Sequence, residues 1–147
     1  MGNLEKEEIS PTFQRDFGVP TELTFLKGCR VKAIAAGGHQ SACLAETRLA
    51  KFLDLPKPPK KPVRLTFHWG EKFICRSDDG YEGRWICTSL PHEIRKLHGR
   101  KIGDIKLGKK HCLVLDEDVG RIYAWGDNTY GQLGLVGTRR KFFVLLS

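Results

Sequence analysis

One stretch of this chain repeats itself, and that repeat limits the architectures open to it more than any other feature. PTELTFLKGCRVKAIAAGGHQSACLAE, Pro20 to Glu46, aligns without gaps on PHEIRKLHGRKIGDIKLGKKHCLVLDE, Pro91 to Glu117. Pro20 meets Pro91, Glu22 meets Glu93, Leu26 meets Leu97, Gly28 meets Gly99, Ile34 meets Ile105, Gly37 meets Gly108 and Leu44 meets Leu115. A unit that cannot bury its apolar face alone has to stack on a neighbour, so recurrence predicts an array of like units rather than one closed core.

The unit reads as an antiparallel meander. Between Lys101 and Gly134 three apolar runs, Ile102 to Leu107, Cys112 to Leu115 and Arg121 to Trp125, are separated by turn chemistry at Gly108, at Asp116-Glu-Asp-Val-Gly120 and at Gly126-Asp-Asn. Short β-branched and aromatic runs between Gly, Asp and Asn clusters predict strands joined as hairpins. In the first copy the third strand comes later. Glu46 is followed by TRLAKFLDLPKPPKKPVR before Leu65-Thr-Phe-His-Trp69-Gly70 supplies it, so Thr47 to Arg64 reads as an insertion. Its first part predicts a short helix, Thr47 to Leu53, capped by Thr47; Pro56, Pro58, Pro59 and Pro62 then favour an extended, polyproline-like course. PKPPKKP has two readings, a docking segment for a proline-binding groove or an acidic surface, and a stiff spacer. After Gly70 the first copy departs again: Phe73 to Cys75 and Arg84 to Thr88 read as two strands around an Asp-Asp-Gly turn.

The second copy resembles the repeat of the regulator of chromosome condensation family. In the order of that pattern the matching positions are Ile102, Ile105, Gly108, His111, Leu115, Gly120, Tyr123, Trp125, Gly126, Asn128, Gly131, Gln132, Leu133 and Gly134. The resemblance implies an all-β fold of antiparallel meander blades, each repeat of about fifty residues forming one blade of a β-propeller of about seven. On this reading residues 1–19 are a lead-in and the end of a preceding blade. Residues 20–90 are a degenerate first repeat with its insertion at 47–64, residues 91–137 a well-matched second, and residues 138–147 a basic-apolar tail that starts a further strand. Two blades would be a portion of a ring, completed by remaining blades or by a second chain.

The repeated residues are expected to serve architecture. Gly37 and Gly108 fall between strands, where a side chain would block close approach. Trp69 and Trp125 are expected to end the third strand of each blade, with Gly70 and Gly126 turning the chain beneath them. Asn128, Gly131, Gln132, Leu133 and Gly134 form a turn with Leu133 inward and the Gln132 amide bonding backbone. His111 is expected to be a hydrogen-bonded structural group; the first copy has Gln40 at that position.

The net charge of +8 is clustered. Lys57, Lys60, Lys61 and Arg64 form one group, Arg95, Lys96, Arg100, Lys101, Lys109 and Lys110 a second, and Arg139-Arg140-Lys141 a third. Such a field fits a solvated surface or an acidic partner. Five cysteines without a CxxC pair, an acidic N-terminus without an apolar segment, and Lys6 at the position where myristoylation takes Ser or Thr predict a reduced intracellular protein, in cytoplasm or nucleus. No apolar run is long enough to cross a membrane.

No metal-type spacing joins a histidine to a cysteine, and Asp116-Glu117-Asp118 reads as an acidic hairpin tip rather than a calcium loop. No nucleophile or phosphate-loop motif is present, so neither an enzyme nor a cofactor is expected. The expected function is a non-catalytic protein-interaction module acting as scaffold or regulatory platform. Two alternatives stand beside it. The resemblance implies guanine nucleotide exchange on a Ran-type small GTPase, and the basic clusters suggest phosphate or chromatin binding without base readout.

Overall fold

The computed structural model describes Gly18, residues 20–75 and residues 83–134. The remainder of the expected lead-in 1–19, the Asp-Asp-Gly turn and the tail 138–147 lie outside the described residues. Among the described residues the chain forms two antiparallel meanders. The first is a four-stranded sheet in sequential order: β1 (Arg30–Gly37), β2 (Gln40–Thr47), β3 (Val63–Cys75) and β4 (Gly83–Glu93). The second has three: β5 (Ile102–Leu107), β6 (His111–Asp116) and β7 (Arg121–Gly126). The α-helix seen among the described residues, α1 (Ala50–Leu53), belongs to the insertion. The fold is all-β, built of neighbouring propeller blades.

The two copies superpose in their irregularities as well as their strands. Each opens with a 3-10 turn, Thr24–Leu26 and Arg95–Leu97, whose final leucine is buried. The pairing of β1 with β2 slips between Val31 and Ala33, and that of β5 with β6 between Ile102 and Asp104. An extra residue in one strand moves the next side chain onto the other face. Ile102 and Ile105, three positions apart, therefore point the same way, and so do their equivalents Val31 and Ile34.

The sheets pack face to face. Ala42 and Leu44 of β2, with Ala33 and Ala35 of β1 against them, meet Leu97, Ile102, Ile105, Cys112, Val114, Tyr123 and Trp125 of the second blade. Alanines dominate the first blade's side of this contact because two backbones approach closely there. At Gly37 a Cβ would run into the carbonyl oxygens of Leu107 and Gly108. Trp125 closes β7 at 1% exposure, filling the space between the sheets. Gly126 beneath it has φ +110° and lies against the Lys110 carbonyl, a site where an L side chain is strained and obstructed at once.

The opposite face of the first sheet carries a second cluster of Leu26, Cys43, Ala45, Leu65, Phe67 and Leu53. The insertion takes part in it. Phe52 of α1, Phe67 of β3 and Phe25 form a three-ring cluster with centroids 5.8, 5.9 and 6.2 Å apart, all edge to face. The helix is shorter than expected, and Thr47 closes β2 rather than capping it, its hydroxyl accepting the Leu49 N–H at 3.0 Å.

Two further expectations need correction. Trp69 does not end its strand: β3 runs on to Cys75 and pairs with β4 as far as Gly83, because the Phe73 and Arg84 runs extend the same two strands. Nor is the proline segment straight. The chain bends at Pro56-Lys57 and at Lys60-Lys61, since both ends are anchored on one sheet and the span must arc back.

Candidate interaction surface

Among the described residues the first sheet's outer face is only partly covered. The N-terminal 3-10 turn and α1 shield Leu65 and Phe67, but along β1 a cleft of about 470 Å³ remains. Its walls include Leu23, Val31, Ile34, Ala36, Cys43 and Trp69. Val31 is 44% exposed and Ile34 79%, whereas their equivalents in the second blade, Ile102 and Ile105, are 0% and 1% exposed. The same side-chain positions are thus covered by a neighbouring sheet in one blade and open in the other. Trp69, half-buried, lines this cleft instead of an inter-blade contact.

Polar groups tie the blades together at their shared face. Gln40 donates through Nε2 to the Gly108 carbonyl at 3.0 Å, and its Oε1 lies 3.0 Å from His68 Nε2 and 3.6 Å from Cys112 Sγ. All three residues are buried, and this pairing satisfies polar atoms that would otherwise be costly to bury. His111 takes a different place from the hydrogen-bonded one expected. Its ring packs over Gly108, occupying the space of a side chain there. The linking role belongs to Gln40, the residue at which the first copy departs from the pattern. The only sequence signal for it was that departure.

The basic residues separate into two kinds. Arg64 is not a surface contact: its Nη1 donates to the Ile102 carbonyl at 2.7 Å and its Nη2 to Glu46 at 2.6 Å, so it straps β3 to the neighbouring blade. This guanidinium holds the Glu46 carboxyl below its ordinary value, chiefly by that hydrogen bond. A carboxyl so lowered contributes stability at neutral pH that is lost as acid protonates it. Arg100 is likewise structural, donating to Tyr123 Oη at 2.7 Å, reaching the buried Asp116 at 3.5 Å and lying 5.0 Å over the Tyr123 ring. Lys101 faces Glu117 and Asp118, each at 3.9 Å, and Lys110 faces Glu71 at 4.0 Å. Lys57, Lys60 and Lys61 are exposed on the insertion, Arg95 and Lys96 on the second 3-10 turn, and Lys109 on the β5–β6 turn. Among the described residues the clusters therefore divide into cations held by the fold and cations left exposed.

This difference is testable. Reversing Lys57, Lys60 and Lys61 to Glu is expected to change folding stability by no more than about 0.5 kcal/mol, as at ordinary surface sites. Arg64→Ala is expected to cost about 1.5–3 kcal/mol, the range for hydrogen bonds to a charged group. Urea unfolding of both variants measures the contrast, and equal losses would place the three lysines inside the fold.

The family's turn is also in place. Asn128 Oδ1 accepts the Leu133 N–H at 3.0 Å, Gln132 Oε1 accepts the Tyr130 N–H at 2.8 Å, and Leu133 is buried. Gly131 and Gly134 have φ of +77° and +70°. These contacts account for the Asn, Gly, Gln, Leu, Gly order. Residues 104–132 match the family model of the regulator of chromosome condensation (RCC1) repeat. This chain carries an RCC1 repeat at residues 104–132.

Among curated relatives, it is similar to the human E3 ubiquitin-protein ligase HERC2, 28% identical over 79% of this chain and 2% of that protein. It is also similar to the ultraviolet-B receptor UVR8 of Arabidopsis thaliana, 28% identical over 93% of this chain and 27% of the receptor. A shorter match, 43% identical over 33% of the chain and 4% of the relative, joins it to the human probable E3 ubiquitin-protein ligase HERC3. The RCC1-repeat chain spans about a quarter of the receptor's length and a few per cent of each ligase. Among the described residues no group of three His, Cys, Asp or Glu is placed to hold a metal ion, and no helix is long and apolar enough to cross a membrane.

Proposed function

We propose that this RCC1-repeat chain is a non-catalytic interaction module, a propeller portion that acts as scaffold or regulatory platform by receiving a protein on the open face of its first sheet. The observation that carries the reading is the contrast between Ile34, 79% exposed, and its repeat equivalent Ile105, 1% exposed. A sheet face built to be covered stands open. Apolar area of this kind on a soluble fold marks a place where another surface seats.

The state of the thiols supports a binding rather than a catalytic role. Burial pushes the Cys43 thiol up to about 11 and raises that of Cys112 further, so neither is a ready nucleophile at neutral pH. We propose a reducing compartment, cytoplasm or nucleus, in which Cys29, Cys43, Cys87 and Cys112 stay free thiols.

The test is site-specific photo-crosslinking in cells, with the probe at position 34 on the open face and, as control, at position 119, an exposed hairpin tip. A discrete protein is expected to be captured from position 34 and not from 119. Were that protein a Ran-type GTPase, nucleotide release assayed with the pure pair would decide for the exchange alternative. Equal labelling from both positions, or none from 34, would overturn the proposal.

A further inference from the structure

The insertion loop carries chemistry that the sheet face does not use. Pro56, Pro58, Pro59 and Pro62 have no N–H, so the segment can neither extend α1 nor join a sheet edge as an ordinary strand. Its carbonyls and side chains are left for contacts of another kind. Leu55 is 43% exposed, Pro56 and Pro58 are exposed, and Pro59 is half-buried. Lys57, Lys60 and Lys61 are exposed, and among the described residues none of them has an ion-pair partner, whereas Lys101, Lys106 and Lys110 do. An uncompensated triple positive charge interleaved with proline calls for an acidic counterpart.

The order of residues specifies more. A left-handed polyproline helix has three residues per turn, so positions three apart share a row. Leu55, Pro58 and Lys61 make one row, Pro56, Pro59 and Pro62 the second, and Lys57 and Lys60 the third. Two adjacent rows are apolar and end in one lysine; the third is purely cationic. A groove lined with aromatic rings takes the two apolar rows of such a prism, and a carboxylate at its end takes the terminal cation.

The loop is also presented for capture. Its N-terminal side is held by Leu53, buried in the first blade, and by Leu55 N–H on the Ala50 carbonyl at 3.4 Å. Its C-terminal side enters β3 at Val63, next to the Arg64 strap. Arg48 Nε donates to the Pro59 carbonyl at 3.1 Å. Four proline rings limit the backbone between these anchors. The bends at Pro56-Lys57 and Lys60-Lys61 have to open as the segment straightens.

We infer that Leu55 to Lys61 is a docking segment for a protein with an aromatic-lined proline-binding groove of the SH3 kind whose rim carries carboxylates. It reads the partner through the Leu55-Pro58-Lys61 and Pro56-Pro59-Pro62 rows, with Lys57 and Lys60 turned to solvent. The site is separate from the open sheet face, so either can fail without the other.

The experiment is calorimetric titration of the whole chain with a panel of purified SH3 domains whose groove rims are acidic. At least one domain is expected to bind. The double variant Pro56→Ala, Pro59→Ala is expected to weaken that binding by about tenfold or more, Lys61→Glu by a similar factor, and Lys57→Glu by less than about threefold. Melting curves of each variant establish that the fold is kept, and Lys61→Glu carries the test if the proline variant melts early. Absence of binding across the panel overturns the inference. So does affinity that survives loss of both prolines, or an equal loss from Lys57→Glu and Lys61→Glu, either of which marks attraction by charge alone.

Discussion

Trp125→Ala is expected to destabilise the chain by about 3–5 kcal/mol, the range for removing a large aromatic side chain from a packed interior. The indole is 1% exposed at the end of β7 and belongs to the cluster that joins the two sheets. Its neighbours there are rigidly placed: Ile105 and Val114 face each other as paired residues of β5 and β6, and Leu97 comes from a 3-10 turn. The void left by the ring therefore closes only in part, and the loss of transfer free energy is compounded by a cavity. Since a domain of this size is stable by only about 5–15 kcal/mol, the variant is expected to unfold at much lower urea concentration than the parent. Coincident chevrons for the two proteins would contradict the packing role.

The second large effect comes as a pair of substitutions at one repeat position. Ile105→Ala is expected to cost about 2–5 kcal/mol, as for other buried isoleucines, while Ile34→Ala is expected to stay within about 0.5 kcal/mol of the parent. The two residues align in the repeat, sit in matching strands and follow matching slips in strand pairing. Only their cover differs, at 1% against 79% exposure. Thermal unfolding of the isolated chain reads the difference. If the partner of the open face is added, the cost of Ile34→Ala should appear in the stability of the complex and not in that of the free chain. Equal costs in the free chain would mean that the first sheet is already covered.

Much of this was legible before any coordinates. The gapless alignment of Pro20 to Glu46 on Pro91 to Glu117 located both meanders and their stacking, because glycines and apolar residues at shared spacing encode shared backbone geometry. The turn at Asn128 to Gly134 was equally plain, since its residues act within a few positions of one another. Arg64 was misread because its role depends on a carbonyl in the other sheet, and a cation in a run of lysines carries no mark of that. The bridging role expected of His111 falls to the aligned Gln40 for a related reason: which of two aligned residues bridges the blades depends on which face is covered. The insertion's short helix carries Phe52 and Leu53 into the core, and their packing is set by Phe25 and Phe67 elsewhere in the chain, which a local reading of Thr47 to Leu53 does not reveal. The candidate docking row at Leu55 to Lys61 was visible as composition, while its exposure and anchoring were not.

The slips in pairing at Lys32 and Gly103 make the sidedness of each blade a matter of parity. Strict alternation would send one member of each pair, Val31/Ile34 and Ile102/Ile105, to the opposite surface, so a single supernumerary residue decides which hydrophobic groups the sheet offers to which neighbour. Deleting Gly103 would set Ile102 and Ile105 two positions apart and keep both on one face by regular alternation, whereas pairing Gly103 without a slip would turn Ile102 outward. A change of pairing register that preserves every apolar residue can therefore still abolish the stacking.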